Sequence, residues 1–248
     1  MRQISFAFPV TNSTLKKLLK LLKPIGERLK VPVRQGPLKG FYLLAVAPLR
    51  FFKGTYEPET TALFVQFVKL GDIVYDIGAH MCYFTLIASK QVGSEGMVVA
   101  FEPCPTNVRI LKKHLQINGI TNVETIEAAV TESSGKARFA FGTGTGKGHL
   151  AIDGELEVKT VCIDELVEKG IIPPPKVIKV DVEGAEMRVI AGAIRTISTY
   201  RPIIFLATHS ESLSKACDKV ICSFGYLKRQ ADSSNVIYIP SKLVYNWG

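Results

Sequence analysis

Three short runs place acidic residues and glycine where a nucleoside site on a parallel sheet would need them. Val74-Tyr75-Asp76-Ile77-Gly78-Ala79-His80 carries an apolar run into a glycine turn, Phe101-Glu102-Pro103 ends a second run in a carboxylate, and Val180-Asp181-Val182-Glu183-Gly184 ends a third. An ionised carboxylate accepts from both hydroxyls of a glycol, so Glu102 suits a ribose. The separation of about 24 residues from Gly78 to Glu102 suits one strand–helix–strand step of such a site. Gly78 is expected to let the chain turn sharply and bring backbone N–H groups to a ligand, with Asp76 as a further acceptor. A dinucleotide would call for G-x-G-x-x-G, but His80 and Tyr83 stand where the second and third glycines belong. The pattern fits a nucleoside cofactor without a diphosphate, of which S-adenosylmethionine is one.

With such a donor, methyl transfer from the sulfonium is an in-line displacement, aided by alignment and, for an acceptor atom that carries a proton, by its removal. A base near the crevice is therefore the residue to find. Asp181 ends one predicted strand and His209 follows the next, so both should reach the same mouth. His209 titrates near neutrality, Asp181 can orient it or bind the acceptor, and Glu183 sits in the adjoining turn. These three form the candidate catalytic set. Glu186, in the first turn of the next helix, also favours the helix dipole. Asp181, Glu183 and His209 could hold a divalent ion, but their spacing is not diagnostic and no metal is expected. The run Gly142-Thr143-Gly144-Thr145-Gly146-Lys147-Gly148 lacks the Ser or Thr after lysine of a phosphate loop and reads as a surface loop or lid.

The elements that must carry these residues alternate. Predicted strands at 73–76, 97–102, 123–129, 177–180 and 203–208 are separated by predicted helices at 83–91, 106–118, 185–198 and 212–223, with less regular strands at 226–228 and 236–239. That alternation implies a parallel sheet with helices on both faces, whose ligands bind beyond the carboxyl ends of the strands where the connection order switches. An antiparallel excursion is expected at 137–141 and 157–162. Residues 32–54 read as loop, and residues 57–70 return to helical spacing.

Charge divides the chain. Of 31 Lys+Arg and 22 Asp+Glu, residues 1–70 hold 12 and 3, so the whole net charge of +9 lies in that part. A nucleic-acid binder would spread cations over its core, so no nucleic acid is expected. Residues 15–29 set Leu15, Leu18, Leu19, Leu22, Ile25 and Leu29 on one helical face with lysines around it, which suits either a core contact or peripheral association with an anionic membrane. The five cysteines form no C-x-x-C pair and read as reduced thiols of a cytoplasmic protein.

The chain resembles the FkbM-type methyltransferases through Gly54-Thr55-Tyr56-Glu57-Pro58-Glu59, Gly71 to His80, Val99 to Pro103 and, most specifically, Ile178-Lys179-Val180-Asp181-Val182-Glu183-Gly184-Ala185-Glu186. The resemblance implies a Rossmann-like class I methyltransferase fold, α/β with a mostly parallel seven-stranded sheet. It implies an S-adenosylmethionine donor and, as acceptor, a hydroxyl of a sugar, glycolipid or natural product. Asp76, Gly78 and Ala79 would line the methionine end and Glu102 would hold the ribose, with Glu57, His80, Pro103, Ala129 and Asp181 completing the candidate cofactor set. Three positions depart from the family pattern: Cys82 replaces a glycine, His80 stands where Asn is frequent, and Ala207 stands where many members carry Glu. Residues 1–55 are expected to form a basic extension and 56–248 the methyltransferase domain. The rival reading is a non-catalytic nucleoside-binding module tethered through its basic N-terminal helix.

Overall fold

The computed structural model describes residues 24–141, 148–151 and 153–244. Most of the leader at 15–29 and of the glycine run at 142–148 lies outside the described residues. Of the leader's apolar face, Ile25 and Leu29 are described, and both are exposed.

Four apolar runs become strands buried on both sides, β3 (Ile73–Ile77), β4 (Met97–Phe101), β10 (Val177–Val180) and β11 (Ile203–Ala207), and a fifth strand, β5 (Val123–Ile126), is only partly buried. Together with β12 (Tyr226–Gln230) and β13 (Asn235–Pro240) they form one seven-stranded sheet of order β12-β13-β11-β10-β3-β4-β5. The pairs among β11, β10, β3, β4 and β5 are parallel, and β13 is antiparallel to both β11 and β12. The chain leaves β3 toward β4 and β5 and later returns to its other side with β10 and β11, so the order switches between β3 and β10. A crevice opens at such a point.

Side chains alternate between two cores. Val74, Val98, Ala100, Val177, Ile203 and Phe205 pack with Phe64 and Phe67 of α2 (Pro58–Phe67), Phe84 and Leu86 of α3 (Tyr83–Val92), and Leu111 of α4 (Pro105–Ile117). Helix α1 (Leu49–Lys53) adds Phe51 to this layer. On the opposite face Tyr75, Ile77, Val99, Ile178, Val180, Ile204 and Leu206 meet Ile163 of α5 (Ile163–Glu168), Val189 of α6 (Glu186–Ala191), Ile197 of α7 (Ile194–Tyr200), and Cys217 and Ile221 of α8 (Glu211–Ser223). A short α9 (Ser241–Val244) follows β13. The predicted excursion is a separate four-stranded sheet of order β6-β9-β7-β8, from β6 (Ala129–Val130), β7 (Gly135–Phe141), β8 (Gly148–Leu150) and β9 (Leu156–Val161). Among the described residues no helix is long and apolar enough to cross a membrane.

Three expectations need correction. The helix expected at 185–198 is two, because Gly192 turns its carbonyl to the Asp164 N–H at 2.8 Å and the Cys162 thiol at 3.2 Å instead of continuing the ladder. A Cβ there would lie 2.1 Å from the Thr131 carbonyl oxygen, so only glycine permits the approach. The strand expected at 123–129 stops at Ile126, and Ala129 belongs to the second sheet. Residues 32–54 are not simply loop. A hairpin of β1 (Lys30–Pro32) and β2 (Tyr42–Leu44) precedes α1, and Val33, Leu38 and Leu43 enter the first core.

His114 fastens that hairpin to the sheet. Buried in α4, it accepts at Nε2 from the Leu44 N–H (2.9 Å), which leaves Nδ1 to donate to the Met81 carbonyl (3.0 Å). Both contacts require the neutral ring, and burial pushes its pKa down to about 4. Because the unfolded chain takes this proton first, stability should fall as pH drops from about 6.5 toward 4, by up to about 3 kcal/mol. Urea unfolding of His114→Gln is expected to show a cost near 1 kcal/mol at pH 7 from the altered hydrogen bonds, and a much weaker loss on acidification. Parallel pH dependence of the two proteins would contradict this role.

Candidate active site

The crevice between β3 and β10 is shaped by one backbone contact. Gly78 leaves β3 with φ 87°, and a Cβ on it would lie 2.0 Å from the Asp181 carbonyl oxygen just beyond β10. Its freedom serves strand proximity more than ligand binding. The N–H groups of Gly78 and Ala79 both donate to the Phe101 carbonyl (2.9 and 3.0 Å), and that of His80 donates to Glu102 Oε2 (2.8 Å). The expectation that this turn offers those N–H groups to a ligand is corrected accordingly. His80 (φ 50°) and Cys82 (φ 134°) both sit at positive φ, the backbone reason that Asn and Gly suit these positions.

Glu102, 5% exposed, ends β4 with both oxygens engaged: Oε2 by His80 N, Oε1 by Cys104 N (2.9 Å) and Asn107 Nδ2 (3.2 Å). Burial raises its pKa against these donors. Two carboxylate oxygens offer about four lone-pair directions, so Oε2 retains room for another donor. Pro103 follows, half-buried. Ala129, which follows the end of β5, packs with Cys104 just beyond the end of β4 and with Phe139 and Val158.

Two carboxylate clusters flank the crevice. In the first, Asp76 is buried and accepts from Thr85 Oγ1 at 2.6 Å, and Lys179 donates to Asp181 Oδ2 at 3.1 Å. Glu57, at the N-terminus of α2 with φ 43°, adds a buried Oε2 that has no hydrogen-bond partner. Burial raises the pKa of Glu57 and of Asp76, while nearby Lys179 opposes both shifts. In the second cluster, His209 Nδ1 meets Glu186 Oε1 at 2.5 Å, and its Nε2 lies 3.5 Å from Glu183 and 3.9 Å from Asp181. Glu186 is fully buried and also accepts from the Gly184 N–H (3.1 Å). The hydrogen bond to Glu186 raises the His209 pKa; partial burial opposes it, and the charges of Glu183, Glu186 and Asp181 reinforce it. The sequence-predicted trio Asp181, Glu183 and His209 is thus assembled. Among the described residues no set of three or more His, Cys, Asp or Glu is arranged to hold a metal.

The sequence profile of the methyltransferase FkbM domain matches residues 76–228. The chain belongs to the FkbM methyltransferase family. It is 30% identical over 153 residues to hexuronic acid methyltransferase AglP of Haloferax volcanii, covering 60% of this chain and 61% of that protein. It is 26% identical over 113 residues to protein-L-isoaspartate O-methyltransferase 1 of Archaeoglobus fulgidus, covering 45% of this chain and 51% of that one. The chain therefore spans between half and about three fifths of the length of these curated relatives. In structure it is similar to methyltransferase FkbM of Methylobacillus flagellatus KT, with a TM-score of 0.53, 14% identity, and coverage of 91% of this chain and 60% of that chain. The fold is the class I methyltransferase fold, with its mostly parallel seven-stranded sheet. The residues present fit a cationic nucleoside: an unpartnered carboxylate oxygen on Glu57, a strand-end carboxylate on Glu102, and Lys179 already paired.

Two residues of the cluster carried no assignment from the sequence. Lys179 lies inside the specific motif but reads there as a strand residue. Glu186 reads as a helix N-terminal carboxylate until the fold sets it against His209.

Gly78→Ala is expected to lose at least about 2 kcal/mol of stability, since the added methyl must displace the Asp181 carbonyl. An unchanged urea midpoint would contradict the close approach of the two strand ends.

Proposed function

We propose that this FkbM methyltransferase O-methylates a sugar hydroxyl, with His209 as the general base. The observation that carries the reading is the His209 ring held at Nδ1 by buried Glu186, with Nε2 facing Glu183 and Asp181 at distances longer than ordinary hydrogen bonds. Glu186 fixes the tautomer: Nδ1–H donates, so Nε2 of the neutral ring is the acceptor. An acceptor hydroxyl beside Nε2 would pass its proton there as its oxygen bonds to the methyl carbon. Asp181 and Glu183 would orient the acceptor and stabilise the resulting imidazolium.

For the donor, Asp76, Gly78, Ala79, His80, Glu57 and Asp181 are assigned to the methionine end, Glu102 to the ribose, and Pro103 and Ala129 to the wall beyond it. When bound, S-adenosylmethionine supplies an electrophilic methyl group on a cationic sulfur. The anionic crevice, with Lys179 as the buried cation among the described residues, favours such a cation.

The likeness to AglP supports a sugar acceptor. A hexuronic acid offers both hydroxyls and a carboxylate, and the two leave different products. A carboxylate needs no base, whereas a hydroxyl does, and this crevice presents a base among three carboxylates that would repel an anionic acceptor group. Incubation with radiolabelled donor and neutral sugars or hexuronic acids is expected to give a base-stable methyl ether. A product hydrolysed by mild alkali would be an ester and would overturn the hydroxyl assignment.

Because the His209 pKa is raised, the basic form accumulates only above the ordinary value of 6.5. The rate should therefore climb with pH through a step above that value. His209→Gln should lose the step and about 10²-fold in kcat, with donor affinity by calorimetry unchanged. Full activity of that variant from pH 6 to 9 would remove His209 as the base. Glu102→Ala should weaken donor binding by about 1.5–3 kcal/mol, and unchanged affinity in a folded variant would take Glu102 out of the ribose site.

A further inference from the structure

The acid–base reading of His209 leaves one buried charge without a role. Lys179 is 2% exposed and lies directly opposite Asp76 in the register of β10 with β3. Its Nζ donates to Asp181 Oδ2 at 3.1 Å and sits 4.3 Å from the centre of the Phe84 ring. A solitary ammonium buried in a sheet would shed its proton. Here burial pulls that way, but Asp181, Glu57 and Asp76 more than offset it, so the amine stays charged. An amine that keeps its proton is not the base for the acceptor, and its influence must pass through the carboxylates around it.

Those carboxylates respond differently. Burial lifts Asp181 too, yet Lys179, joined by His209 and His80, outweighs it and holds the group below its ordinary range. Burial prevails at Glu57 and Asp76. The geometry explains the difference. Asp181 has Lys179 at hydrogen-bond distance, Asp76 is satisfied by Thr85 Oγ1, and Glu57 keeps one buried oxygen unpartnered.

We propose that Lys179 is a positioning residue: its ion pair commits Asp181 to the crevice as an oriented carboxylate and leaves the open oxygen of Glu57 to receive the cationic donor. This rests on the roles given to Asp181 and Glu57 above. The groups that face Asp181 are Lys179 before it in the chain, Asp76 on β3, Tyr56 and Glu57 at the start of α2, His80 in the turn after β3, Glu183 in the turn after β10, and His209 beyond β11. Without Lys179 the groups left facing Asp181 that can carry positive charge are, among these, the histidines His80 and His209.

The test uses the full chain and three variants, Lys179→Met, Lys179→Arg and Lys179→Met combined with Asp181→Asn. In donor-free protein, carbon-13 titration of the carboxyl groups, with Asp181 assigned through Asp181→Asn, is expected to move the Asp181 midpoint up by at least about one pH unit in Lys179→Met. Lys179→Arg, which keeps the charge, should hold the midpoint near its original position. In parallel, kcat of Lys179→Met should fall at least about tenfold while the KM for the donor changes little, the mark of a role after donor binding. An unmoved Asp181 midpoint in folded Lys179→Met would overturn the proposal. If Lys179→Met does not fold, the double variant, which removes both charges of the pair, should fold and be the more stable; a double variant no more stable than the single one would equally overturn it. Asp181→Asn alone separates the two claims. Full activity there would sink the catalytic reading of Asp181, whereas an inactive Asp181→Asn beside an unmoved midpoint in Lys179→Met would sink only the role of Lys179.

Discussion

Placing an ammonium in the middle of a parallel sheet costs several kcal/mol unless oppositely charged and hydrogen-bonding groups surround it. Lys179 is the one Lys or Arg among the described residues to be so buried, on the sheet face that otherwise carries Val74, Val98, Val177 and Phe205. Its solvation shell is therefore built from protein. Asp181 comes from its own strand, Asp76 from the neighbouring strand at the same level, Glu57 from the start of α2, and the Phe84 ring from α3. Four separate parts of the chain must be in register for that shell to close. The same closure brings Gly78 against the Asp181 backbone and opens the crevice where the strand order switches. Fold and site share one constraint.

A second buried carboxylate lies beside it, held through one oxygen while its Oε2 is buried without a hydrogen-bond partner. Glu186 is fully buried at the start of α6, where the helix N-terminus favours a carboxylate, and its Oε1 takes hydrogen bonds from Gly184 N and His209. The imidazole is thereby locked in orientation and tautomer by a group that does not itself reach the crevice mouth. Asp181 joins the two clusters, paired with Lys179 through one oxygen and facing His209 with the other.

What the sequence disclosed follows from how much each feature depends on local pattern. Strands β3, β4, β10 and β11 are buried on both faces, so they read as unbroken apolar runs, and the carboxylates at their ends were visible against that background. The trio Asp181, Glu183 and His209 was legible because two successive strands of a parallel sheet must end at the same edge. Lys179 was not, since a cation inside an apolar strand looks the same whether it snorkels outward or is enclosed by partners more than a hundred residues away, as Glu57 and Asp76 are. Gly192 misled for a similar reason: one glycine inside a helical pattern is ordinarily tolerated, and only the approach of the Thr131 backbone shows why the helix breaks there. The hairpin of β1 and β2 was hidden because its hold on the core runs through His114, a helix residue 70 positions from its partner Leu44.

The central claim is that donor and acceptor meet at the β3–β10 switch point, between the Lys179 cluster and His209. A crystal structure of the full chain with S-adenosylhomocysteine tests it most directly. Ribose hydroxyls are expected on Glu102, the amino group of the methionine moiety on Glu57 Oε2, and the sulfur facing the space between Asp181 and His209. A ligand seated elsewhere, such as on the basic surface of α4 around Arg109 and Lys112, or bound in the crevice with its sulfur turned away from His209, would contradict it.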